Sequence, residues 1–253
     1  MNNLNLTIKE KFGVVRDNEF LKFCYEQKFV LKKQVDSWFL LNGDFGSAES
    51  CKRVARRSVL RLLGYGLLSG GSDRVFGKSK IYEVTKLGIQ KLVDQGILPG
   101  DCSYVQKDNS TLYHDSLVTS VRLACGHLGI FENWNSERIL KSENTEITPD
   151  AITTLRSKNK NLTIAIEVEL TQKSKQRLRD IFYKYQTNSY DLVLYFVLNQ
   201  NLLEFLKKLA AECARKIYFC VLEDFLNHQL NSEWVNQFDS FKTEKLTKGE
   251  NNG

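Results

Sequence analysis

The stretch Ile164-Ala165-Ile166-Glu167-Val168-Glu169-Leu170 decides how the rest of this chain is read. It is apolar except at its two acidic positions, and it predicts a β-strand over 162–170. A strand turns alternate side chains to one face, so Glu167 and Glu169 stand side by side. Two carboxylates on one face of a mainly apolar strand repel each other strongly unless a cation lies between them.

Working outward, Lys173–Tyr185 reads as a long basic helix, and Asp191–Leu198 (DLVLYFVL) as a buried central strand. A helix at Leu202–Cys213 and a strand at Lys216–Leu222 follow. Upstream lie a helix at Leu112–Leu128 and strands at Phe131–Trp134, Arg138–Leu140 and Ala151–Thr154. Hairpin strands followed by β-α-β-α-β make a mixed α/β sheet. The polar loop Arg156–Asn161 (RSKNKN) separates Ala151–Thr154 from the acidic strand, so a hairpin between them brings Asp150 close to Glu167. Asp150, Glu167 and Glu169 then form an oxygen-rich site suited to Mg²⁺ or Mn²⁺, with Glu137 upstream. An ion held there can polarise a phosphodiester. The plainer reading is that the two glutamates pair with Lys173, Lys175 or Arg177 of the next helix. In either case the cations Lys173, Lys175, Arg177, Arg179 and Lys184 suit DNA phosphates.

The front of the chain differs in charge. Residues 1–110 hold 18 Lys and Arg against 12 Asp and Glu, and residues 111–253 hold 18 of each, so the whole net charge of +6 lies in the first part. Helices are expected at Asn18–Phe29, with Phe20, Leu21, Cys24 and Tyr25 inward, and at Lys33–Leu41. A third, Ala48–Leu63, is capped by Ser47 or Ser50. Its apolar positions Ala55, Val59, Leu62 and Leu63 share one face, while Lys52, Arg53, Arg56, Arg57 and Arg61 stack at helical spacing beside them. Strands at Leu67–Leu68 and Lys80–Val84 flank a loop carrying Arg74 and Lys78, with Lys80 at the head of the second strand, and Thr85 can cap a fourth helix. Three helices with a basic third, a basic hairpin and a closing helix follow the order of a winged helix-turn-helix. In that arrangement the third helix enters the major groove and the wing meets phosphate.

Composition sets the remaining bounds. Of 253 residues, 42% are hydrophobic and 26% charged, which suits globular folding. No run of 18 apolar residues and no signal-peptide core occur, so a cytoplasmic protein with no membrane partner is expected. Six dispersed cysteines (24, 51, 102, 125, 213 and 220) read as buried free thiols, and with three scattered histidines they make no zinc pattern. Expected boundaries are a DNA-binding domain at 1–98, a linker at 99–111 around Pro99-Gly100, a second domain at 112–240, and a flexible tail at 241–253. The fold class expected is α+β.

Pro149-Asp150, a gap, then Glu167-x-Glu169 on a strand followed by a helix resembles the PD-(D/E)xK nuclease fold. It departs where the usual lysine stands, at Glu169, and Lys173 or Lys175 could supply the positive charge instead. The wider order is LYHDSLV (112–118), NSERI (135–139), TPDA (148–151), IAIEVELT (164–171) and a helix ending Y-x-Y (183–185). Behind a winged-helix front this resembles the plasmid replication-relaxation proteins, and among them the MobC-type mobilization relaxases. The resemblance covers about residues 17–200. It implies a restriction-endonuclease-like second domain and recognition of double-stranded plasmid DNA at a transfer origin. It further implies metal-dependent nicking of one strand, with a coupling protein and an accessory mobilization protein as partners. Asp150, Glu167 and Glu169 would bind metal, with Glu137 and Lys173 assisting, and His114 would orient a phosphate or simply be structural. The commoner relaxases use a tyrosine nucleophile with a histidine cluster; His114, His127 and His228 form no H-x-H pair, which disfavours that class, and Tyr183, Tyr185 and Tyr190 read as packing or DNA-contact residues. No GxxxxGK[ST] loop occurs. A non-catalytic DNA-binding accessory and an endonuclease cutting both strands are the competing readings.

Overall fold

The computed structural model describes residues 8–104, 108–129, 131–141, 146–156, 161–212 and 216–248. The polar leader, the centre of the Arg156–Asn161 loop, Cys213 and the end of the tail lie outside the described residues. The chain is a mixed α+β protein that divides into two compact units, Met1–Thr119 and Ser120–Gly253.

In the first unit, α1 (Ile8–Glu26) leads through β1 (Val30–Leu31) into α2 (Lys32–Leu41) and α3 (Ala48–Gly64). β2 (Leu68–Ser72) and β3 (Lys80–Val84) form an antiparallel hairpin, and β1 joins the other side of β3. α4 (Lys86–Asp94) closes the unit. The sequence explains these limits. Ser47 caps α3, its side chain accepting from the Ser50 N–H at 3.1 Å, while the Ser47 N–H donates to Ser50 Oγ at 3.2 Å. Thr85 caps α4 by accepting from the Gly88 N–H at 3.1 Å. Both satisfy helix-start donors that would otherwise lack partners. Phe20, Phe23, Trp38 and Phe39 pack as one aromatic cluster with centroids 5.0–6.5 Å apart. The helix expected from Asn18 begins at Ile8, and Phe20, Leu21, Cys24 and Tyr25 are all buried as expected.

α5 (Leu112–Leu128) carries the division between the units within its length. The second unit holds a seven-stranded sheet built from β4 (Phe131–Ser136), β5 (Ala151–Arg156), β6 (Asn161–Glu169), β7 (Leu192–Val197), β8 (Ile217–Val221), β9 (Glu233–Val235) and β10 (Ser240–Lys242). Neighbouring strands follow sequence order throughout. β6, β7 and β8 run parallel and the other pairs antiparallel. The parallel joints need crossover helices, supplied by α7 (Lys175–Thr187) and α8 (Gln200–Ala210). α6 (Glu137–Leu140) lies between β4 and β5, and α9 (Leu222–His228) and α10 (Thr243–Lys248) complete the unit. Leu178, Phe182 and Tyr185 of α7 and Leu203 and Leu206 of α8 bury one core with Ala165, Val193, Tyr195 and Phe219 of the sheet. Phe196, Phe225 and Trp234 form a second aromatic cluster.

Two expectations are corrected. Arg138–Leu140 is not a strand but lies in the single helical turn α6, because β4 pairing ends at Ser136↔Ala151. Three residues are too few for periodicity to separate strand from helix. The tail expected to fray from Phe241 instead forms β10 and α10 as far as Lys248. Trp234 anchors it: Phe241 pairs opposite Trp234, and Trp234 Nε1 donates to the buried Thr243 hydroxyl at 2.9 Å. Cys24, Cys51, Cys125 and Cys220 are buried free thiols and Cys102 is half-buried. Among the described residues no helix is long and apolar enough to cross a membrane.

Candidate functional site

The hairpin register Ala151↔Ile166 sets Asp150, at the head of β5, opposite Glu167 on β6. Asp150 is fixed there twice: its Oδ2 accepts from the Val168 N–H at 2.8 Å, and its carbonyl accepts from the Glu137 N–H at 2.8 Å. Glu167 and Glu169 share the face of β6 that also carries Ala165, the face covered by α7. Tyr185 of α7 donates its hydroxyl proton to Glu167 Oε1, and Lys173 pairs with Glu169 Oε2.

Burial is the main force on this cluster. It pushes the Glu167 carboxyl well above the ordinary carboxylate range, and the charge of Asp150 pushes it further; the Tyr185 hydroxyl and Lys173 act in the opposite sense. The Tyr185 and Tyr195 phenols are also pushed up, first by burial and then by Glu167. Glu169 is 5% exposed, and Lys173 supplies its countercharge. Glu137 adjoins the cluster through its backbone, and its carboxylate pairs with Lys141 at 2.8 Å.

The fit to a divalent cation divides the three acids. Asp150 and Glu167 are hard oxygen donors whose mutual repulsion, expressed in the raised Glu167 acid, a cation would relieve. Glu169 already has Lys173. Among the described residues no group of three or more His, Cys, Asp or Glu side chains is arranged to hold a metal. The carboxylates thus meet as a pair, with Glu169 and Lys173 as a neutralised couple beside them.

Tyr185, expected as a packing or DNA-contact residue, is a hydrogen-bonding neighbour of Glu167. Its signal was present: Leu178, Phe182 and Tyr185 recur at i, i+4 and i+7, which turns Tyr185 inward, and a buried tyrosine hydroxyl seeks an acceptor.

The cations assigned to DNA separate into groups. Lys52, Arg53, Arg56 and Arg57 are exposed on α3, but Arg61 is turned to Asp17 of α1, its Nε and Nη2 lying 2.7 and 2.6 Å from Oδ2. Arg74, at the start of a 3₁₀ turn within the hairpin loop, and Lys78 and Lys80 are exposed. In the second unit Lys175 and Arg177 are exposed in the first turn of α7, whereas Arg179 pairs with Glu212 at 2.8 Å. His114 lies 3.5 Å from Asp115, which also meets Lys28 at 2.9 Å and the Thr111 hydroxyl at 2.9 Å. Burial alone would raise the Asp115 acid, but these three partners together hold it below its ordinary value.

Comparison with protein-family models, with curated proteins and with solved structures finds no match to this chain.

Proposed function

We propose that this is a DNA-processing protein in which the first unit is a winged helix-turn-helix reader. The second unit is a restriction-endonuclease-like domain that nicks one strand with the help of Mg²⁺ or Mn²⁺. The observation that carries the reading is the β5–β6 register: it sets a half-buried glutamate beside an aspartate, with a lysine at the same strand end. Asp150 and Glu167 would hold the ion, which when bound would supply Lewis-acid polarisation of a phosphodiester. Lys173 stands where an E-x-E strand lacks the lysine of the PD-(D/E)xK pattern, arriving from beyond the strand instead. It neutralises Glu169 and lowers the charge that incoming phosphate would meet. Tyr185 fixes the Glu167 carboxyl through its hydroxyl. Lys175 and Arg177, exposed on α7, and the exposed arginines of α3 suit phosphate contacts. By the order of its motifs the protein is of the MobC-type mobilization kind. It would act on double-stranded plasmid DNA at a transfer origin, with a coupling protein and an accessory mobilization protein as partners.

A second reading, a DNA-binding accessory with a nuclease-like but non-catalytic unit, is favoured by one observation: Glu169 is taken up by Lys173, which leaves two carboxylates rather than three. Conversion of supercoiled to open-circular plasmid separates the two. Wild type and Glu167→Gln are compared in Mg²⁺, Mn²⁺ and chelator, with and without a transfer origin. Origin- and metal-dependent nicking by wild type alone supports the first reading; origin binding without nicking in any metal leaves the second.

A further inference from the structure

The first unit carries a groove of about 1270 Å³ bounded by α2, α3 and the β2–β3 hairpin. Its rim holds Lys32, Lys33, Arg56, Lys78 and Lys80. Among the described residues the one carboxylate lining it, Asp36, is already held by Lys32 at 2.5 Å. Its floor is apolar, made by Val35, Val59, Leu60, Leu63 and the ring of Tyr82. Leu60 is 56% exposed although cations surround it, and Arg56, Leu60 and Leu63 follow one another along a single helix edge. On the hairpin side Gly70, Gly71 and Gly77 line the groove without side chains, and a Cβ at Gly71 or Gly77 would meet nothing within 4 Å. That wall is therefore open.

These features suit more than a polyanion. A DNA duplex would satisfy the rim and leave the apolar floor without a complement. A helix about 10 Å across and of two to three turns matches the volume, and one with apolar residues on one stripe and carboxylates beside it matches both floor and rim. Charge complementarity chooses an acidic helix over a basic or neutral one. We propose that this groove docks an acidic amphipathic helix of a partner protein, its apolar stripe on Leu60 and Leu63 and its carboxylates among Lys33, Arg56, Lys78 and Lys80. Arg56, Lys78 and Lys80 also belong to the proposed DNA face, so helix and duplex would exclude each other. That competition rests on the DNA reading, whereas the docking does not.

The test is fluorescence anisotropy of a labelled helical peptide of about 14 residues, leucines on one stripe and glutamates flanking it, titrated with the full chain. A Glu→Gln peptide and a Leu→Ser peptide run beside it. Binding should weaken at least about tenfold with either peptide change and with either Leu60→Asp or Arg56→Glu in the protein. Both protein positions are exposed, and urea midpoints equal to wild type confirm that the variants fold. No binding at about 100 μM protein overturns the proposal, as does equal binding of the Leu→Ser peptide, which would mark a surface for any polyanion. Adding a duplex to the docked peptide addresses the other reading separately: failure to displace it leaves the docking intact and counts against the DNA face.

Discussion

Glu167 is the residue whose environment has the most consequences. Its acid is raised in the folded chain, so the stability it contributes is fully present below the ordinary carboxylate range. That stability is lost as pH rises toward the raised value, because the unfolded chain gives up the proton first. In chelator, wild type should therefore lose stability from about pH 4.3 upward relative to Glu167→Gln, with the variant melting at least about 2 °C higher at neutral pH. Parallel melting curves across that range would show that Glu167 is not held protonated. Lys173 gives a second test. Lys173→Met leaves the Glu169 carboxylate buried without its countercharge and should cost about 2 kcal/mol in urea unfolding. Adding Glu169→Gln to that variant should restore most of the loss, and additive costs for the two changes would mean that the pair is not coupled. The sequence made both glutamates visible as a same-face pair. It left open which of them the lysine meets, since Lys173, Lys175 and Arg177 are all near in the chain.

At the level of elements, periodicity and capping signals carried most of the fold. The starts of α3 and α4 follow from Ser47 and Thr85, and Ser47→Ala should cost about 1 kcal/mol. Gly88 makes a less obvious prediction. An alanine in a helix interior is normally worth about 1 kcal/mol over glycine. Here an added Cβ would stand 2.3 Å from the Leu67 carbonyl oxygen and 2.8 Å from Val84 Cγ1, so α4 would have to move off β3. Gly88→Ala should destabilise by about 3 kcal/mol or more, measured by denaturant unfolding, and a gain in stability would show that α4 is not packed this closely. Elements failed to show in the sequence where long-range partners create them. α6 arises because the β4–β5 ladder ends, and β10 and α10 because Trp234 is available to receive Phe241 and Thr243.

For the whole molecule, charge is distributed by unit, and the proposed roles should separate accordingly. Replacing Arg53 and Arg57 together by alanine should weaken duplex binding and reduce the slope of log affinity against log salt by about two. Glu167→Gln should bind duplex as wild type does, since Glu167 and the two arginines belong to different compact units. Fluorescence binding at several salt concentrations checks both; an unchanged salt slope for the arginine variant would remove α3 from the DNA face. Arg61 is not expected to contribute in the same way, because Asp17 holds it.

The sequence by itself determined which segments are helix and which are strand across most of the chain, their order, and the sharing of one face by Glu167 and Glu169. These follow from backbone geometry repeating every 3.6 or 2 residues, a property each segment carries locally. The β5–β6 register puts Asp150 opposite Glu167 as the expected hairpin implied, and the tertiary structure alone shows that Tyr185 reaches Glu167, that Lys173 takes Glu169, and that Arg61 leaves its neighbours for Asp17. Each of these depends on strand register or on how a helix docks. A shift of one residue in register or of one turn in docking would exchange the partners while leaving every local pattern unchanged.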